Sequence, residues 1–227
     1  MMPDRRAFVV RKLHSLAGVV PIGAFLVEHV WTNAAALDGP AAYERAVGRI
    51  RSLPGLVALE WLFIFLPLAF HSFYGVWLTL RGRPNAVRYP YARNWLYVMQ
   101  RATGVVALVF LAWHLYEFRV QTWLYGMRPV AFYGTLAAHL SATRAGVPLA
   151  ALFYLLGLFA SVFHFTNGMW GFCFSWGLTT SRAAQRRSAW VFAVLGAGLF
   201  ALGGATVLHF ATGAWFTGSS EGAAACP

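Results

Sequence analysis

The chain has 227 residues, of which 59% are hydrophobic and 11% charged, with a mean hydropathy of +0.58, whereas soluble domains run nearer ~25% charged. This excludes an ordinary soluble domain, and disordered, collagen-like and disulfide-stapled chains with it; ten Trp, nine Tyr and nineteen Phe suit a polytopic α-helical membrane protein with aromatic interface belts. The formal charge of +11 would suggest nucleic acid in a soluble chain, but here it reads as topology, so no nucleic-acid partner is expected: basic loops collect on the cytoplasmic side, facing anionic lipid and any acidic partner.

Five apolar segments, at about 13–36, 56–80, 95–118, 147–178 and 189–216, each reach the ~20 residues needed to cross a bilayer. They predict an all-α membrane protein with five transmembrane helices in a single domain, without internal repeats. The opening Met1–Phe8 carries Arg5 and Arg6 ahead of a long apolar run that lacks a small-residue cleavage site, so it reads as the start of a retained helix rather than a signal peptide. Asp38-Gly39-Pro40 and Leu53-Pro54-Gly55 bracket the first loop, and Gly82-Arg83-Pro84-Asn85 ends the second helix. The loop at 118–146 holds a short interfacial helix near Tyr133–Leu140. Cys173 and Cys226 are too few for a disulfide framework or a zinc site, and no Cys-x-x-Cys-His motif occurs, so any haem is held non-covalently.

Alternate loops differ in basic residues. One side carries Arg5, Arg6, Arg11, Lys12, Arg81, Arg83, Arg88, Arg93, Arg182, Arg186 and Arg187, with Arg101 just inside the third helix. The other carries Arg45, Arg49, Arg51, Arg119, Arg128 and Arg144, partly neutralised by Asp38, Glu44 and Glu117. The positive-inside rule makes the first side cytoplasmic, with the N-terminus inside and the tail Gly213–Pro227 outside.

Four of the seven histidines lie well inside separate predicted helices, and an ionisable residue at such depth is a functional candidate. The first helix runs outward and reaches His29 after about 16 residues, ~24 Å, and the third reaches His114 after about 19, ~28 Å. The second and fourth run inward to His71 after ~22 Å and to His164 after ~26 Å. Two pairs result, His71 with His164 toward the cytoplasm and His29 with His114 toward the outside. An iron porphyrin takes one imidazole from each face, and a four-helix bundle supplies facing imidazoles across its core, so the pattern predicts two stacked haems b. A zinc transporter or a proton relay would instead cluster its donors with carboxylates at one level.

Gly18 and Gly104 fall at the height of the inner pair, where they leave room for a porphyrin edge or for close helix packing. Lys12, His14, Ser15 and Arg101 at the cytoplasmic end are candidate partners for haem propionates, as is Arg144 for the outer haem. His139, in the outer loop, and His209, in the fifth helix, read as structural residues because neither has a partner at matching depth. Cys173 reads as a small packing residue.

The stretches Arg11-Lys-Leu-His-Ser-Leu-Ala-Gly-Val-Val-Pro, Phe65-Leu-Pro-Leu-Ala-Phe-His-Ser-Phe-Tyr-Gly, Tyr91-Ala-Arg-Asn-Trp, Gln100-Arg-Ala-Thr-Gly, Trp113-His-Leu-Tyr-Glu and Phe163-His-Phe-Thr-Asn-Gly closely resemble the dihaem cytochrome b anchor of bacterial succinate:menaquinone oxidoreductases, from about Phe8 to the end of the fifth helix. The resemblance implies two haems b on the same ligand pairs, a place in the bacterial cytoplasmic membrane, and a role as anchor for a flavoprotein (FAD) subunit and an iron–sulfur subunit. It also implies electron transfer through both haems to menaquinone near the outer surface, where Glu28, Trp31, Asn33, Trp113 and Glu117 stand at the right height. Cationic neighbours, Lys12 and Arg101, should give the inner haem the higher potential. A fumarate-reducing branch of the family carries a glutamate two residues before the fourth helix's ligand; here that position is Val162, which favours succinate oxidation. The alternative is a dihaem anchor of another respiratory oxidoreductase, of fumarate reductase, hydrogenase or nitrate reductase type.

Overall fold

The computed structural model describes residues 5–125 and 132–214. Arg128, Cys226 and most of the tail named above lie outside them. Among the described residues five helical spans are long and apolar enough to cross a membrane: α1 (Arg5–Asp38), α3 (Leu56–Arg81), α4 (Ala92–Tyr125), α6 (Leu149–Ser175) and α7 (Arg182–Thr212). Two shorter helices lie between them in sequence, α2 (Pro40–Arg51) and α5 (Phe132–Ser141). No strand occurs among the described residues.

The spans outrun their hydropathic limits. α1 starts at Arg5 rather than near residue 13, α7 at Arg182 rather than near 189, and α4 continues to Tyr125. Arginine and glutamine are good helix formers that end an apolar window without ending a helix, and long basic side chains keep their charged ends in water. Ser181 starts α7 by accepting the Ala184 N–H at 3.1 Å, as an N-cap should. α6 stops two residues short of Gly177, whose φ of 76° lets Leu178 N–H return to the Cys173 carbonyl at 2.8 Å.

Within α1 the α-helix breaks at Val20, giving Arg5–Val19 and Pro21–Ala34, because Pro21 brings no N–H to the ladder and its ring crowds the preceding turn. α3 and α4 each contain one wide π-helical turn, Trp61–Phe65 and Tyr116–Val120, a feature that recurs at functional sites. α2 is a whole helix where turn residues predicted only a loop. Gly39, at φ 103°, opens it and Pro40 takes the first-turn position. Its Tyr43 is buried and donates to Asn33 Oδ1 at 3.1 Å. Burial, then the adjoining Glu44 carboxylate, raises the Tyr43 pKa above its ordinary value, so this hydroxyl stays a donor.

The chain forms two compact units. Unit one comprises residues 1–27, 57–108 and 160–198, and unit two residues 28–56, 109–159 and 199–227. Unit two contains a buried cluster of Ala36, Tyr43, Phe110, Leu140, Tyr154 and Phe210. There Glu44 accepts the Tyr133 backbone N–H at 2.8 Å, and the Arg51 guanidinium lies 4.9 Å from the Phe132 ring centre, tying α2 to α5.

Candidate functional site

In unit one, α3 and α6 bring His71 and His164 together, with ring centres 6.0 Å apart and planes 89° to each other. In unit two, α1 and α4 bring His29 and His114 to 5.8 Å and 79°. Two imidazoles sharing one metal, with each ring nitrogen ~2.0 Å from it, have ring centres ~6 Å apart. Both pairs have this spacing. Among the described residues no three of His, Cys, Asp and Glu gather as a metal cage.

The other ring nitrogens decide what each imidazole can bind. His71 Nδ1 lies 2.9 Å from the His14 carbonyl and His164 Nδ1 2.9 Å from the Gln100 carbonyl. A carbonyl only accepts, so both Nδ1 atoms carry the proton and Nε2 keeps the lone pair a metal requires. His114 reaches the same state by another route. Its Nδ1 lies 3.3 Å from the Tyr154 hydroxyl, and that hydroxyl is 2.7 Å from Glu117 Oε2. Tyrosine has one proton and gives it to the carboxylate, so His114 must donate to Tyr154, again leaving Nε2 to coordinate. Three of the four paired histidines thus have a metal-binding tautomer set by their surroundings.

Glycines make the space. A Cβ on Gly18 would lie 2.4 Å from His71 Cε1, and one on Gly104 2.8 Å from His164 Cε1, so the room that these glycines leave holds the imidazoles themselves. Gln100 returns the bond it receives: its Nε2 donates to the His164 carbonyl at 3.0 Å, and its Oε1 accepts from Asn167 Nδ2 at 2.7 Å. The Gln100 and Asn167 positions in the sequence motifs are therefore a clamp between α4 and α6 beside the ring.

The candidate propionate partners divide. His14 stacks on His71, with centres 4.1 Å apart, and its Nε2 is buried without a hydrogen-bond partner, as is Arg101 Nε. Both atoms suit an anionic oxygen that the protein itself does not supply. Lys12 instead donates to the Ser175 carbonyl, where a cation suits a helix C-terminus. Ser15 donates to the Lys12 carbonyl at 2.9 Å and accepts from Trp176 Nε1 at 3.0 Å. Arg144 is exposed in a turn bridged to Val147.

This chain is 39% identical over 194 residues, 86% of its own length and 92% of the relative's, to the succinate dehydrogenase cytochrome b558 subunit of Bacillus subtilis (strain 168). The chain belongs to the succinate dehydrogenase cytochrome b subunit family. No protein-family model matches it.

In this family member the candidate quinone residues also separate. Trp31 and Trp113 are 74% and 50% exposed, as belt tryptophans facing lipid are, and Glu28 is exposed and accepts from Thr32. Asn33 is held between the His29 carbonyl, 2.7 Å from Nδ2, and Tyr43. Glu117 lies inside, shared by Tyr154 and His139, whose Nε2 is 2.9 Å from Oε1. His139 is therefore not a loop residue without a partner: it sits on α5, against the carboxylate next to His114. His209, 1% exposed, accepts from Tyr133 and donates to the Ala214 carbonyl, at 2.8 and 2.9 Å, a structural use. Tyr154, Gln100, Asn167 and Tyr133 escaped sequence reasoning, although Gln100 and Asn167 had a signal in being amides inside apolar spans.

Proposed function

We propose that this chain is the dihaem cytochrome b membrane anchor of a succinate dehydrogenase, a single transmembrane domain in the bacterial cytoplasmic membrane with its N-terminus inside. His71 and His164 would hold the inner haem b, and His29 and His114 the outer one. The observation that carries this reading is the tautomer set for His71, His164 and His114, with Nδ1 protonated and the lone pair left on Nε2, inside pairs spaced for one metal. Haem b, when bound, supplies one-electron exchange at its iron.

The chain's residues do the rest. His14 Nε2 and Arg101 Nε would receive the inner haem's propionates, and Gly18 and Gly104 let the His71 and His164 rings approach the neighbouring helices. The cytoplasmic arginines dock the iron–sulfur subunit, which with the flavoprotein subunit delivers electrons from succinate. Menaquinone is reduced beside the outer pair, where Glu117, Asn33 and Glu28 offer polar atoms among apolar neighbours.

Reduced-minus-oxidised spectra with a haem assay on the purified complex test this. Two haems per chain are expected, copurifying with succinate dehydrogenase activity. A haem-to-protein ratio near zero rejects the reading, and two haems without that activity reject the assigned partners.

A further inference from the structure

The ligand candidates differ in what stands behind them. His71 and His164 lean on neutral backbone carbonyls. His114 leans on a hydroxyl that itself leans on a carboxylate: Nδ1 to Tyr154 at 3.3 Å, Tyr154 to Glu117 Oε2 at 2.7 Å, and Glu117 Oε1 to His139 Nε2 at 2.9 Å. The chain runs from buried to wet, since Tyr154 is 7% exposed while the Glu117 and His139 side chains are 16% and 34% exposed.

Packing keeps it in place. Glu117 lies three residues after His114, inside the wide turn Tyr116–Val120. The His114 ring stacks on Phe110, with centres 5.6 Å apart and planes 26° to each other, and a Cβ on Gly157 would lie 2.1 Å from that Phe110 ring. The proton order is the same throughout: His114 gives to Tyr154, Tyr154 gives to Glu117, and Glu117 takes a second bond from His139.

A hydroxyl polarised by an anion is a stronger acceptor than a hydroxyl alone, and a stronger acceptor behind a ligating imidazole raises the ligand's basicity. More electron density on the ligand favours the oxidised metal. We propose that Tyr154 and Glu117 are positioning residues for His114, passing carboxylate character to that ligand and so lowering the potential of the haem it holds. His139 moderates them by occupying one carboxylate oxygen. The proposal rests on the haem reading above.

The test is a redox titration of the purified complex, with the two haems followed separately by their absorption bands. Tyr154→Phe and Glu117→Gln each shift one component about tenfold toward the reduced form, ~59 mV upward for one electron, and leave the other in place. The shifted component is the one that His29→Ala removes. His139→Ala returns charge from the carboxylate to Tyr154 and shifts the same component a few-fold the other way, a sign that simple loosening does not give. If Tyr154→Phe loses its haem, Glu117→Gln decides, and if both lose it, the sign for His139→Ala decides. No selective shift, a shift common to both haems, or a rise with His139→Ala overturns the proposal. A wild-type preparation without two haems overturns the haem reading instead.

Discussion

The imidazole of His164 is fixed by two contacts that leave it little freedom: its Nδ1–H on the Gln100 carbonyl and its Cε1 over the bare α-carbon of Gly104. An added methyl 2.8 Å from that ring must push it off the carbonyl, at a cost of about 1–3 kcal/mol for overpacking. Gly104→Ala is therefore expected to lower the haem-to-protein ratio from two toward one. Gly48→Ala, with nothing within 4 Å, should leave it unchanged. Of the two cations expected at the proposed inner haem, Lys12 is committed to the end of α6 and Arg101 remains. On the proposed reading Arg101 meets a propionate of the inner haem and favours its reduced state, so His71→Ala or His164→Ala should remove the higher-potential component in a redox titration. Loss of that component from His29→Ala instead would reverse the assignment. The pairing of these histidines was legible because a helix rises ~1.5 Å per residue wherever it sits. Tyr154 was not legible, since one tyrosine in an apolar run looks like any other until packing aims its hydroxyl.

The element that the sequence reading missed is α2, whereas the short helix expected near Tyr133–Leu140 is α5, Phe132–Ser141. α2 carries Arg45, Arg49 and Arg51 and no long apolar window, so only Gly39-Pro40 and the spacing of Tyr43 and Val47 hinted at a helix with one buried side. Its value to unit two lies in polar links to named partners: Tyr43 to Asn33, Glu44 to the Tyr133 N–H, Arg51 over Phe132. Tyr43→Phe removes the first while keeping the ring in its cluster, and such a bond contributes about 1 kcal/mol. The melting midpoint in detergent should fall by about 2–4 °C, with both haems retained. Loss of a haem in this variant would mean that Asn33, bonded to the His29 carbonyl, depends on α2 for its orientation. The break at Val20 was present in the sequence as Pro21. The wide turns in α3 and α4 were not, because the apolar stretches that contain them read equally well as unbroken α-helix.

At the scale of the molecule the decisive quantity is the distribution of charge. The residues of unit one include twelve of the 18 Lys and Arg and two of the seven Asp and Glu, and the positive-inside rule assigns basic excess to the cytoplasmic side. On the proposed reading, electrons from cytoplasmic subunits would travel outward to the quinone, toward the positive side of an energised membrane, and the field would assist them by up to ~2.3 kcal/mol per electron per 100 mV for a full crossing. A glutamate that let a proton accompany each electron would cancel that assistance. In this chain its position is Val162, 3% exposed, whose carbonyl accepts the Thr166 hydroxyl at 2.9 Å, an apolar side chain with no titratable atom to offer. Succinate-dependent menaquinone reduction in sealed, energised vesicles is thus expected to slow when an uncoupler collapses the potential and to recover when the potential is restored. The same complex in detergent, where no potential exists, should not respond to the uncoupler. Equal rates with and without uncoupler in the vesicles would mean that no net charge crosses with the electrons, and the expectation of field-assisted transfer drawn from Val162 and the arginines would have to be abandoned.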